Sequence, residues 1–151
     1  MIRVLFICHG NICRSPMAEF IFKKLVKEQG LDDAFEIDSA ATSREEIGND
    51  IYPPAKRCLT AHGVAFTAHR ARQITKADLE YYDCIVAMED YNIRNLQRLL
   101  GDSKKYSLLL DHSDKPGNIS DPWYSGDFET VYKEIELGCR GLLDHIAGKL
   151  I

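Results

Sequence analysis

Ile2-Arg3-Val4-Leu5-Phe6-Ile7-Cys8-His9-Gly10-Asn11-Ile12-Cys13-Arg14-Ser15-Pro16 follows the initial methionine, and its reading decides the fold. Ile2 to Ile7 is a short apolar run rich in β-branched and aromatic residues, as expected of a strand buried on both faces and ending at Cys8. His9-Gly10-Asn11 breaks the run as a loop. Ser15-Pro16 then reads as a hydroxyl cap with proline at the first helical position, opening a helix through Met17, Ile21 and Leu25 that Gly30 closes.

The same alternation continues outward. Phe35 to Ala41 reads as a second strand, and Pro53-Pro54 starts a helix that stops near Gly63. Thr75 caps a short helix over Lys76 to Tyr82, and Cys84 to Met88 is another buried strand. Ile93, Leu96 and Leu100 line one helical face, and Tyr106 to Leu110 is the last strand. Asp111 to Gly126 has no periodicity and reads as a long, functional loop. Phe128, Val131, Tyr132, Ile135, Cys139, Leu142, Leu143, Ile146 and Leu150 recur at three- and four-residue steps and predict a long amphipathic helix. Strands alternating with helices predict an α/β fold: a four-stranded parallel sheet with helices on both faces and a phosphate-binding loop after the first strand. Ligands in such sheets sit at the carboxyl edge of the strands, where Cys8 falls.

A chain of 151 residues suits one domain over 1–151. Its 45% hydrophobic and 28% charged residues are those of a globular protein, and a formal charge of -4 gives no basic face for nucleic acid or an anionic membrane. No apolar run is long enough to span a bilayer, and Met1 to Cys8 lacks a signal-peptide cleavage pattern, so a cytoplasmic monomer is expected. Cys8, Cys13, Cys58, Cys84 and Cys139 are an odd, widely spaced set without a CxxC or a Cys/His pair at zinc spacing. Neither a disulfide framework nor a metal is expected from them. Cys58, Cys84 and Cys139 read as core, and His62, His112 and His145 receive no role.

The loop from Cys8 to Pro16 carries the chemistry. Backbone N–H groups wrapped around a helix N-terminus form a concave anion site, reinforced by the helix dipole. Arg14 adds a planar fork of donors for two phosphate oxygens, and Gly10 lets the loop close tightly. A thiolate is itself an anion, so the same cradle favours the nucleophilic form of Cys8. Attack on phosphorus would give a phosphocysteine, with the amides and Arg14 stabilising the equatorial oxygens. Ser15 can donate to the departing sulfur. The spacing is not that of the nucleotide-binding loop, which requires a lysine here.

Cys8-x-Gly-Asn-x-Cys-Arg-Ser-Pro16, with Asp121-Pro122 in the late loop, resembles the low-molecular-weight protein tyrosine phosphatases. The resemblance extends over Asp38 to Ser43 and Ala71 to Thr75. It implies Cys8 as nucleophile, Arg14 as phosphate clamp and Asp121 as general acid, with no cofactor and no metal. It also implies that Asn11 holds the loop's backbone, Ser15 bonds the thiolate and His69 joins that network. Protonating a phenolate leaving group lowers its barrier, which gives an aspartate a purpose, but only the resemblance selects Asp121 over Asp111, Asp114 or Asp127. The implied partners are tyrosine-phosphorylated proteins, with inorganic phosphate or similar oxyanions filling the loop. A reversible Cys8–Cys13 disulfide that protects Cys8 is implied as well.

The expected substrate contacts are His9, Gly10, Asn11, Ile12, Cys13 and Arg14 from the loop, with Glu45, Trp123 and Tyr124 from elsewhere. Trp123 and Tyr124 either wall a slot for a phenyl ring or pack on the last helix. Relatives acting on phosphoarginine carry threonine at the place of Ile12, which favours phosphotyrosine. His9 and Glu45 depart from the family pattern, and Glu45 would favour basic neighbours of the phosphotyrosine. Three other readings share parts of the pattern. An arsenate reductase would need relay thiols, where Cys84 lies in an apolar strand and Tyr91 stands at a partner position. A phosphoarginine phosphatase and a cysteine phosphocarrier of sugar uptake are the others, and the carrier needs no proton donor.

Overall fold

In a computed structural model that describes residues 1–150, with side chains to Gly148, four parallel strands form one sheet in the order β2-β1-β3-β4. They are β1 (Ile2–Cys8), β2 (Phe35–Ala41), β3 (Cys84–Ala87) and β4 (Tyr106–Leu108). The helices are α1 (Arg14–Glu28), α2 (Pro53–Ala61), α3 (Lys76–Tyr81), α4 (Asp90–Leu100), α5 (Pro122–Ser125) and α6 (Phe128–Leu150). Ile151 of the expected 1–151 span, and the Leu150 side chain counted into the last helix's stripe, lie outside what is described.

The central strand shows why the sheet needs two covers. Val4, Phe6 and Cys8 point to one face, into a core with Met17, Phe22, Ile135 and Leu142 from α1 and α6. Leu5 and Ile7 point to the other, against Ile74, Tyr82, Ile85 and Leu96. A strand buried on both sides cannot alternate apolar with polar, hence the continuous apolar run. β1 has β2 on one side, Cys8 opposite Ala41, and β3 on the other, Ile7 opposite Ala87. The connections leaving these strands diverge around the end of β1, which opens a crevice at Cys8.

Three local expectations are corrected. Ser15 is not the helix cap: α1 starts at Arg14 with Cys13 before it, and the Ser15 hydroxyl is spent on Cys8 and Asn11 instead. β4 ends two residues short of Leu110, because Leu109–His112 winds into a 3₁₀ turn that buries Leu109 and Leu110 against α6. The late loop is not structureless throughout. Asp121 caps α5 by accepting from the Trp123 amide at 3.0 Å, Pro122 follows at the first position, and Gly126 closes the turn at φ 70°. Cys58 and Cys139 are buried as expected, whereas Cys84 is only partly so.

Gly141 sets how closely α6 approaches the turn after β4. A Cβ there would collide with the His112 backbone carbonyl, and one at Gly138 would come within 2.6 Å of the Leu109 side chain. Two missing side chains thus let the long helix lie directly on the strand-end turn.

Candidate active site

The loop from Cys8 to Arg14 is bent by Asn11, the only non-glycine among the described residues at positive φ, 60°. Asparagine tolerates this region better than most residues because its amide can bond locally. The loop carbonyls turn outward: those of Cys8, His9 and Ile12 accept from the amides of Thr42, Ser43 and Tyr52 at 3.1, 3.1 and 2.9 Å. His69 Nε2 donates to the Asn11 carbonyl at 2.7 Å. In a trans peptide, a carbonyl aimed out aims the next N–H the opposite way, so the amides of His9, Gly10, Ile12 and Cys13 face inward. The loop thus has the concave ring of inward amides that an anion site requires.

At its floor the Asn11 amide donates to Cys8 Sγ at 3.2 Å, and Ser15 Oγ lies 3.0 Å from the same sulfur. The direction of the network follows from its far end. The buried Glu19 carboxylate, paired with Lys23 at 2.6 Å, accepts from Ser39 Oγ at 2.7 Å. Ser39 Oγ therefore accepts from Asn11 Nδ2 at 3.0 Å, and the same amide donates to Ser15 Oγ at 2.8 Å. Ser15 is left with its own proton for the sulfur. Asn11 Oδ1 accepts from the Arg72 amide at 3.2 Å, which fixes which way the side chain faces.

Arg14 is almost wholly buried. One guanidinium nitrogen donates to Glu89 at 2.6 Å and to the Ile119 carbonyl at 2.9 Å, while the other lies 3.6 Å from Asp121 Oδ2. The anchors consume two of five donors and hold the plane fixed at the mouth of the loop. Asp121 is divided in the same way: one oxygen caps α5 and the other faces Arg14.

Above these groups lies an open cleft of about 490 Å³. His9, Gly10, Ile12, Cys13 and Glu45 line it, and so do Trp123 and Tyr124. Asn11, Ser15 and His69 stand behind the loop as support and do not line the cleft. Tyr124 is 87% exposed and Trp123 57%, with Trp123 held by an aromatic contact to Tyr52 at 5.1 Å, so the pair walls the cleft more than it fills the core. His9 and Glu45 are paired with each other at 3.0 Å on the rim. Burial first, then the neighbouring Cys8 and Asp121, pushes the Cys13 thiol up to about 12. Cys13 thus stays protonated at neutral pH and is a poor nucleophile.

Glu89, Glu46 and Tyr91 also line the cleft and were not foreseen, nor was Glu19 behind it. Glu89 had a signal: it follows the third strand and precedes α4, at the same carboxyl edge as Cys8.

Comparison with known proteins agrees with this geometry. Residues 3–150 match the family described as low molecular weight phosphotyrosine protein phosphatase. A protein of that name from Sus scrofa is 43% identical over 150 residues, covering 95% of this chain and 94% of its own. The crystal structure of YfkJ from Bacillus subtilis superposes with a TM-score of 0.95 at 38% identity, covering 99% of this chain and 96% of that one. A drosophila arginine phosphatase superposes with a TM-score of 0.85 at 31% identity, covering 95% and 96%. The chain belongs to the low molecular weight phosphotyrosine protein phosphatases.

Proposed function

We propose that Cys8, Arg14 and Asp121 carry the hydrolysis of phosphotyrosine and aryl phosphate monoesters in this chain. The reading rests on one observation: a sulfur held by the Asn11 amide and the Ser15 hydroxyl lies at the floor of a cradle whose mouth holds Arg14 and Asp121 3.6 Å apart.

The phosphate enters with its oxygens on the loop amides and the free donors of Arg14. Cys8 attacks phosphorus, forming an S–P bond as the P–O bond to the phenol breaks, and the Asp121 proton passes to the departing oxygen. The amides and Arg14 hold the equatorial oxygens throughout. Asp121, now a carboxylate, takes a proton from water, whose oxygen displaces the cysteine, and the Ser15 proton receives the leaving sulfur. No metal is needed for either displacement.

The substrates are tyrosine-phosphorylated proteins. Ile12 and the Trp123–Tyr124 wall offer an apolar slot for a phenyl ring, which favours phosphotyrosine over phosphoarginine. A reversible bond between Cys8 and Cys13 is the proposed protection against oxidation, and two such thiols in one cleft suit the reducing cytoplasm.

Rapid quench with labelled aryl phosphate, followed by mass spectrometry, tests the assignment. The label is expected on Cys8, and Cys8→Ser is expected to abolish turnover while still binding phosphate. Label on another residue, or turnover that survives in Cys8→Ser, overturns it.

A further inference from the structure

We infer that Cys58, His62 and Glu129 form a binding site for one zinc-class divalent ion, remote from the phosphate loop. Cys58 lies in the last turn of α2 and His62, four residues on, caps the C-terminus of the same helix, so the two side chains lie one above the other. Sequence spacing suggests no Cys/His pair for a metal, whereas four-residue spacing at the end of a helix brings these two side chains together. Glu129, in the first turn of α6, completes the cluster.

The donor atoms already converge. His62 Nε2 lies 3.0 Å from Glu129 Oε1 and 2.9 Å from Oε2, Cys58 Sγ lies 3.8 Å from Oε1, and all three ligand atoms fall within 4.8 Å of one another. Bonds of about 2.3 Å to sulfur and 2.0–2.2 Å to nitrogen and oxygen put the ligand atoms of a tetrahedral ion about 3.4–3.6 Å apart. Small rotations of His62 and the exposed Glu129 close the difference. The imidazole is preset for this: it stacks on Tyr132 at 3.7 Å and 10°, which fixes its plane with Nε2 toward the carboxylate.

Thiolate, imidazole and carboxylate are the ligand set of zinc and its neighbours, and are poorly suited to calcium or magnesium. On binding, metal–sulfur, metal–nitrogen and metal–oxygen bonds form, and the Cys58 proton, which in the free protein points at the Phe128 carbonyl and Glu129, leaves to solvent. Water takes the fourth position on the open side of Glu129. The ion would tie α2 to the start of α6, immediately after the segment that carries Asp121. Tyr52, just before α2, already touches Trp123 and Phe128 there.

Cobalt(II) replaces zinc with a visible signature, and the full-length Cys8→Ser/Cys13→Ala protein removes the loop thiols as competing ligands. Titration is expected to give one equivalent of tetrahedral cobalt with a thiolate charge-transfer band, displaced by zinc. Adding Cys58→Ser is expected to abolish that band. Glu129→Gln and His62→Gln are each expected to weaken zinc binding by at least the roughly tenfold that even an outer-shell partner costs a metal site. A spectrum that stays that of hydrated cobalt, a band that survives Cys58→Ser, or affinity unchanged in both Glu129→Gln and His62→Gln overturns the inference.

Discussion

At Asn11 the backbone and the side chain do separate work, and substitution can part them. Alanine must hold positive φ without the amide, at a cost of order 1–3 kcal/mol; glycine holds it freely but still forfeits the bonds to Ser15 and Ser39. We expect both Asn11→Ala and Asn11→Gly to lower kcat, and only Asn11→Ala to show the added backbone strain in urea denaturation. Equal stability in the two variants would show that φ is not the constraint. Asp121→Asn is expected to reduce kcat roughly 10²–10⁴-fold on phenyl phosphates. The loss should shrink as ring substituents make the phenol more acidic; a uniform loss across the series would mean that Asp121 acts otherwise than by protonation. Cys8, Arg14 and Ser15 were legible in the sequence because they lie within one loop. Glu89 and Glu19 were not, since their importance arises from contacts with partners 75 and 20 residues away.

Among the elements, α3 shows a cap whose strength depends on pH. Thr75 Oγ1 accepts from the Asp78 amide at 3.2 Å, while the Asp78 carboxylate accepts from the Thr75 amide and from Arg72, both at 2.8 Å. Burial would raise the Asp78 carboxyl, but hydrogen bonds from Arg72 and Thr75 outweigh it and hold the group below the usual carboxylate range. A lowered carboxylate contributes stability that is complete above its unfolded value of about 3.9 and is lost as pH falls through the folded one. The gap in unfolding free energy between wild type and Asp78→Asn should therefore be full at neutral pH and close in acid. In α6, Gly141→Ala is expected to destabilise by about 1–3 kcal/mol or more, measured by urea denaturation, since the colliding atom is a backbone carbonyl that cannot rotate away. The strands were readable from their short apolar, β-branched runs, and α6 from its hydrophobic period. The early end of β4 was not, because a two-leucine turn packed on a glycine-bearing helix face has the same apolar letters as two more residues of strand.

For the molecule as a whole, the phosphate loop is a point where ligand and fold are linked. An oxyanion such as phosphate, present at 100 times its dissociation constant, should stabilise the protein by about 2.7 kcal/mol, visible as a rise in melting temperature. Arg14→Ala should remove most of that rise, whereas the Trp123→Ala variant should retain it; the opposite ranking would place the anion elsewhere. The cradle is contiguous in sequence, yet the groups that anchor its arginine are not. Arg14 is steadied by Glu89 and by the Ile119 carbonyl, 105 residues downstream. On the proposed mechanism, a nascent chain that has exposed only its first half carries Cys8 beside a guanidinium without these anchors, and is expected to stay inactive until its last quarter docks. Regained turnover during refolding should thus track the slowest phase of structure formation, making the enzyme an internal witness to the completion of its own assembly.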